Sequence, residues 1–205
     1  MPVATQILYG AIYSQMNAMR LTGRDNSKIA NAIASSVAKY LVLPNLVTCS
    51  LTGTAGPVGS INSVAVVGLV PKVMSGLMVS KAYSKNLKGR DISKLFDAIS
   101  NGTCQVLQGM VLSGTAAGIA VGGGTGSFTA INASALSKLM FLTMQSKKIN
   151  GRDISKICDC VSFGIANHLK TSVKFTTLVT GAIAPVPPAG PIAVMGIPSI
   201  FTKIA

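Results

Sequence analysis

Gly23-Arg24-Asp25-Asn26-Ser27-Lys28, Gly89-Arg90-Asp91-Ile92-Ser93-Lys94 and Gly151-Arg152-Asp153-Ile154-Ser155-Lys156 are three versions of one hexapeptide. Their arginines stand 66 and 62 residues apart. Each copy suits a corner between two helices. A glycine enters the left-handed conformation without a Cβ clash and so ends the first helix. An aspartate two residues on is a good N-cap for the second, since its carboxylate accepts orphan amide hydrogens. The expected unit is therefore an αα-hairpin with a very short connection. Lys28, Lys94 and Lys156 stand where a capping box would place Glu or Gln, so that box is incomplete.

The register continues beyond the corner. Five residues after each arginine come Ile29, Leu95 and Ile157; nine after come Ile33, Ile99 and Val161; seventeen after come Leu41, Leu107 and Leu169. Steps of four keep such side chains on one helix face. Small residues between them (Ala30, Ala34, Gly102, Gly164) let helices approach closely. Before the corner, Ile12, Met78 and Met140 are equivalent, with Tyr13, Val79 and Phe141 beside them.

The pattern predicts an extended lead-in over 1–6 and helices over 7–22, 26–42, 73–88, 92–110, 134–149 and 153–171. Each hairpin is followed by an apolar tail rich in Gly, Thr and Pro, with a Thr-Gly or Ser-Gly step at Thr52-Gly53, Ser113-Gly114 and Thr180-Gly181. Gly- and Pro-bounded, β-prone runs such as 173–179 leave room for short strands in these tails. The expected fold is mainly α: three tandem helical-hairpin repeats over 1–66, 67–133 and 134–205, each with an apolar extended tail. One such repeat buries too little surface to stand alone, so the copies pack together.

Hydrophobic residues make up 49% of the chain, mean hydropathy is +0.53, and tryptophan is absent. Small residues supply much of the bulk, and apolar tails left in water would expose sizeable patches. The expectation is that the tails lie against neighbouring subunits. Charge points the same way, toward partners. Eighteen Lys and Arg face five acids, all aspartate, for a net charge of +13 and a pI of about 9.9. The cations gather at the corners: Arg20, Arg24 and Lys28; Lys81, Lys85, Lys88, Arg90 and Lys94; Lys147, Lys148, Arg152 and Lys156. Stacked hairpins would align them into one basic edge, which either solubilises an apolar chain or docks an acidic partner.

Candidate chemistry is sparse. Cys49, Cys104, Cys158 and Cys160 show no ligand spacing and read as buried thiols in a reducing compartment. No metal or cofactor is expected. His168, the single histidine, falls near a helix end, where the dipole favours imidazolium. Asp25, Asp91 and Asp153 are caps. Asp97 and Asp159 share a position at which the first copy has Asn31, and read as partners for a corner lysine or a neighbouring repeat. Gly122–Gly126 lacks the Gly-Lys-Ser/Thr of a phosphate loop and reads as packed or flexible glycine in a tail. Membrane insertion of the uncharged stretches 41–71, 102–137 and 175–202 is disfavoured by their Gly, Pro, Ser and Thr content. The N-terminus lacks the basic and apolar regions of a signal peptide. Contact with nucleic acid would be to the backbone and non-specific.

The helix-plus-tail segments 92–107 with 113–126, and 154–169 with 180–190, resemble small structural proteins of tailed bacteriophages. That resemblance implies a virion component of the tail, baseplate, neck or capsid, assembled in the host cytoplasm. The expected function is a non-enzymatic assembly subunit that binds other virion proteins, in a homo- or hetero-oligomer, through its hairpins and tails. Gly23, Arg24, Asp25, Gly89, Arg90, Asp91, Gly151, Arg152 and Asp153 are its candidate contact residues. The alternatives are a basic nucleic-acid-associated protein of the virion interior and a membrane-active protein.

Overall fold

The computed structural model describes residues 3–41, 48–55, 59–108, 112–117, 121–128, 131–180, 192–195 and 200–203, with side-chain surroundings for 5–41, 68–108 and 131–171. Helices hold the larger share of its regular structure. They are α1 (Val3–Ala18), α2 (Asn26–Leu41), α3 (Pro71–Ser84), α4 (Ile92–Gln108), α5 (Ala133–Ser146) and α6 (Ile154–Ser172). Seven strands lie after α2, α4 and α6: β1 (Thr48–Ala55), β2 (Gly59–Val67), β3 (Leu112–Ala117), β4 (Val121–Phe128), β5 (Val173–Thr180), β6 (Ile192–Met195) and β7 (Ile200–Lys203).

Each helix packs against the helix before it and the helix after it, and α6 returns to α1, so the six close into a ring. The chain reverses at every corner and again through every antiparallel strand pair. All three corners therefore lie at one end of the ring, and the strands leave from the other. The core is built from matching rows. Leu8, Met74 and Leu136 are buried; so are Ile12, Met78 and Met140, and Met16, Ala82 and Met144. From α2, α4 and α6 come Ile33, Ile99 and Val161, and Leu41, Leu107 and Leu169. Residue volume is not matched row by row. Phe96, fully buried, stands where the other hairpins have Ala30 and Cys158.

Close approach of two helices explains two glycines. A Cβ on Gly102 of α4 would stand 2.8 Å from Met140 Cγ and 3.2 Å from the Met140 amide nitrogen on α5. A Cβ on Gly164 of α6 would collide with Ile12 Cγ1 and stand 3.2 Å from the Ile12 amide nitrogen on α1. The two glycines are 62 residues apart, and Met140 and Ile12 hold matching positions. One contact thus joins α4 to α5 and recurs where α6 meets α1 to close the ring.

The corners are built differently from the sequence expectation. The left-handed residue is not Gly23, Gly89 or Gly151 but the residue three earlier: Arg20 at φ 55°, Asn86 at φ 54° and Lys148 at φ 57°. The next amides, of Leu21, Leu87 and Ile149, reach back to the carbonyls of Met16, Ala82 and Met144 at 2.9–3.0 Å. This is a Schellman stop, with the apolar side chain just beyond it covering the helix end. That apolar contact fixes the turn three residues before the glycine. The first helix of each pair consequently ends earlier than predicted, and α1 begins at Val3 within the expected extended lead-in. Pro71 starts α3, where a missing amide hydrogen costs nothing.

The tails form the short strands for which their Gly- and Pro-bounded runs left room. Within the chain they pair with one another. The sheet is antiparallel in the order β6-β1-β2-β3-β4-β5-β7. Its edge strands β6 and β7 follow each other in sequence, and each approaches the opposite edge, so the sheet curls toward closure. The reason is geometric: ring closure brings all three tails to one end, where each finds backbone partners in the next. Gly122–Gly126, read as packed or flexible glycine, lies within β4, paired with β5 throughout and with β3 from Gly123 to Gly126. Along the register Ser113 meets Ser127 and Thr115 meets Thr125, while Leu112 meets Phe128 and Gly114 meets Gly126. Successive positions belong to opposite faces of a pleated sheet. The expectations for 42–47, 181–191 and 204–205 lie outside the described residues.

Tyr40 ties ring to sheet. Its buried hydroxyl accepts the Val70 amide at 2.6 Å, just after β2 and Gly68 (φ 80°), and donates to the Val70 carbonyl at 3.3 Å. Tyr40→Phe leaves both groups of Val70 without that partner. Val70 is exposed enough for water to replace part of the loss. We expect a drop of about 1 kcal/mol, read from the urea midpoint; an unchanged midpoint would show that the clamp contributes nothing.

Candidate docking surface

At the corner end, each Asp starts its helix through the backbone. The carbonyls of Asp25, Asp91 and Asp153 accept the amides of Ile29, Leu95 and Ile157 at 2.9–3.0 Å. Their carboxylates, expected on orphan amides, instead meet the lysine three residues on: Lys28 at 2.8 Å, Lys94 at 2.8 Å and Lys156 at 3.0 Å. A cation one turn ahead competes well with an amide, and the pairing explains why lysine stands at the capping-box position. Hydrogen bonding from that lysine, aided by the neighbouring arginine, holds all three carboxyls below the usual carboxylate range.

The arginines flank this arrangement on its solvent side. Arg90 Nε lies 3.4 Å from Asp91 and Arg152 Nε lies 3.7 Å from Asp153, yet the two side chains are 93% and 94% exposed. Arg24 is exposed too. All three are held outward, each beside an aspartate already engaged by lysine. Arg20, Lys85, Lys88 and Lys148 add further exposed cations at the same end. Gly23, Gly89 and Gly151 accept the amides of Asn26, Ile92 and Ile154 at 3.2–3.4 Å and so shape the turn that presents each arginine.

Asp97 behaves as expected for an inter-repeat partner. It accepts a hydrogen bond from Ser75 and lies 3.6 Å from Lys147 at the end of α5, linking the second hairpin to the third. At matching positions Ser137 donates to Asp159 at 2.5 Å. Beside Asp97, an open cleft of about 540 Å³ is lined by Lys72, Ser75, Gly76, Val79, Ser80, Tyr83, Ser93 and Asp97. The α5–α6 pair carries Lys138, Phe141 and Leu142 where this cleft has Gly76, Val79 and Ser80.

Buried groups suit a structural role. Cys104, Cys158 and Cys160 are free and buried, and burial pushes their thiols up to about 11, 12 and 11. His168 departs from the expected helix-end imidazolium. It lies one turn inside α6, 2% exposed, and burial pushes its pKa down to about 4. Desolvation outweighs the dipole there, since a charged ring would give up its hydration on entering the core. The sequence signal was available: matching positions hold Tyr40, buried, and Val106, half-buried.

Among the described residues there is no group of three or more His, Cys, Asp or Glu able to hold a metal ion, and no helix long and apolar enough to cross a membrane. Comparison with protein-family models, with curated proteins and with solved structures finds no match to this chain.

Proposed function

We propose that this protein is a non-enzymatic structural subunit of a bacteriophage particle, made from one helical-hairpin-plus-tail unit used three times. The observation that carries this reading is the recurrence of one helix contact, Gly102 on Met140 and Gly164 on Ile12, at matching positions in a closed ring. A chain whose parts occupy like surroundings offers like surfaces three times over, which is what a symmetric assembly uses. The phage assignment itself rests on the resemblance of 92–126 and 154–190 to small structural proteins of tailed phages. Since the tails satisfy one another, the docking parts are the outer helix faces and the corners rather than the tails. In this reading the chain enters the particle as a ready-made ring. Mass spectrometry of purified particles should find it at a fixed stoichiometry to the other structural proteins. Its absence from intact particles would end the reading.

A further inference from the structure

We propose that the corner end of the ring is a docking surface for the phosphate backbone of double-stranded DNA. The inference goes beyond the assembly role: it names for the corner surface a partner other than a structural protein. Four observations converge on it. The alternating helix directions bring all three corners to one end. The three corner aspartates are each engaged by a lysine of their own helix, so their charge is locally spent. The flanking arginines Arg90 and Arg152 remain outward and almost fully exposed, and Arg24 is exposed with them. Further exposed cations, Arg20, Lys85, Lys88 and Lys148, crowd the same end.

The chemistry of the patch selects the partner. Arginine presents a planar fork that matches phosphate oxygens in pairs. A protein partner would call for an aromatic or apolar anchor at the centre of the contact, and a bilayer for apolar side chains to insert. The turns themselves offer neither, because Leu21 and Leu87 are buried and Ile149 packs against the core; the exposed Tyr83 stands at one corner only, at the end of α3. Single strands are held by stacking aromatics, and none stands among the corner residues from Leu21 to Lys28, Leu87 to Lys94 or Ile149 to Lys156. What remains is a rigid, repeated array of positive charge, suited to a backbone and blind to sequence. With helix axes about 8–10 Å apart, neighbouring corners lie roughly 15 Å from each other. Duplex DNA carries a charge about every 1.7 Å, so such a span covers on the order of ten phosphates.

The test is fluorescence anisotropy of a labelled mixed-sequence duplex titrated with the full chain over a range of salt concentrations. Wild type should bind duplexes of unrelated sequence equally and weaken steeply with salt. The triple variant R24A/R90A/R152A should bind at least about tenfold more weakly, with the slope of log affinity against log salt smaller by about three, near 0.9 for each arginine removed. The exposed side chains make misfolding of this variant a small risk, and the triple lysine variant, which keeps the charge, should retain most of the slope. Variant K39A/K170A removes exposed cations from the opposite end and should match wild type. Equal loss in K39A/K170A would reduce the effect to net charge and overturn the proposal. So would an unchanged triple variant, or binding confined to anionic vesicles or to a polyglutamate peptide. Particle composition is a separate measurement, so the two proposals fail independently.

Discussion

Gly164→Ala should lower the unfolding free energy by about 1–2 kcal/mol, although alanine is the better helix former. Helix propensity alone favours the change by about 1 kcal/mol, since glycine in a helix interior leaves more backbone entropy to lose. Packing reverses that sign. The added methyl meets Ile12 Cγ1 and stands 3.2 Å from the Ile12 amide nitrogen, so α1 must move away from α6. Overfilling a tight helix contact costs about 1–3 kcal/mol and occasionally more. This one also closes the ring, so α1 cannot shift without disturbing its contact with α2. The control lies in the same molecule. Gly10 and Gly76 are also helical, and a Cβ added at either would meet nothing within 4 Å, so alanine there should stabilise by about 0.5–1 kcal/mol. Urea midpoints of the three variants, at unchanged m-value, decide the matter. Gly164→Ala as stable as Gly10→Ala would mean that α6 does not press on α1. Ile12→Ala should cost less in the Gly164→Ala background than in the wild type, because the two sites share one contact.

Stability should also fall by about 3 kcal/mol as pH drops from about 6.5 to about 4, and His168 should be the cause. Its folded pKa, pushed down to about 4 by burial, lies below the ordinary 6.5. Between those values the unfolded chain binds a proton that the folded chain refuses. Each pH unit in that window therefore removes about 1.4 kcal/mol. Above 6.5 the ring is neutral in both states and the full stability is present. Its Nδ1 is buried without a hydrogen-bond partner among the described residues, so nothing there offsets the charge on protonation. The three corner aspartates do not compete for this window. Their pKa values are lowered, so the stability they add is present above the ordinary 3.8 and is lost only below it. His168→Val, the residue at the matching position 106, should flatten the profile across the same window. A profile equally steep in that variant would place the titrating group elsewhere.

Much of the architecture could be read from the chain. A hexapeptide with charges at fixed offsets, followed by apolar residues at helical spacing, specifies a hairpin through interactions that span only a few residues. The aspartate that starts each helix and the buried rows Ile33, Ile99, Val161 and Leu41, Leu107, Leu169 follow from such local spacing, whereas the lysine that takes each carboxylate emerged only in the structure. The outward arginines were legible as candidates, and their shared end follows from the alternation of helix directions.

What the sequence alone determined about this protein is the set of helical corners, the core rows and the position of its charge, because these depend on neighbours within about two turns. Only the tertiary structure decided that α6 meets α1, that the tails pair with one another in one sheet, that Arg20, Asn86 and Lys148 take the left-handed turn, and that His168 is buried without charge. The reason is one of range. Ring closure joins residues up to the whole chain apart, and no local pattern says whether an apolar strand will find its partner in the same molecule or in the next.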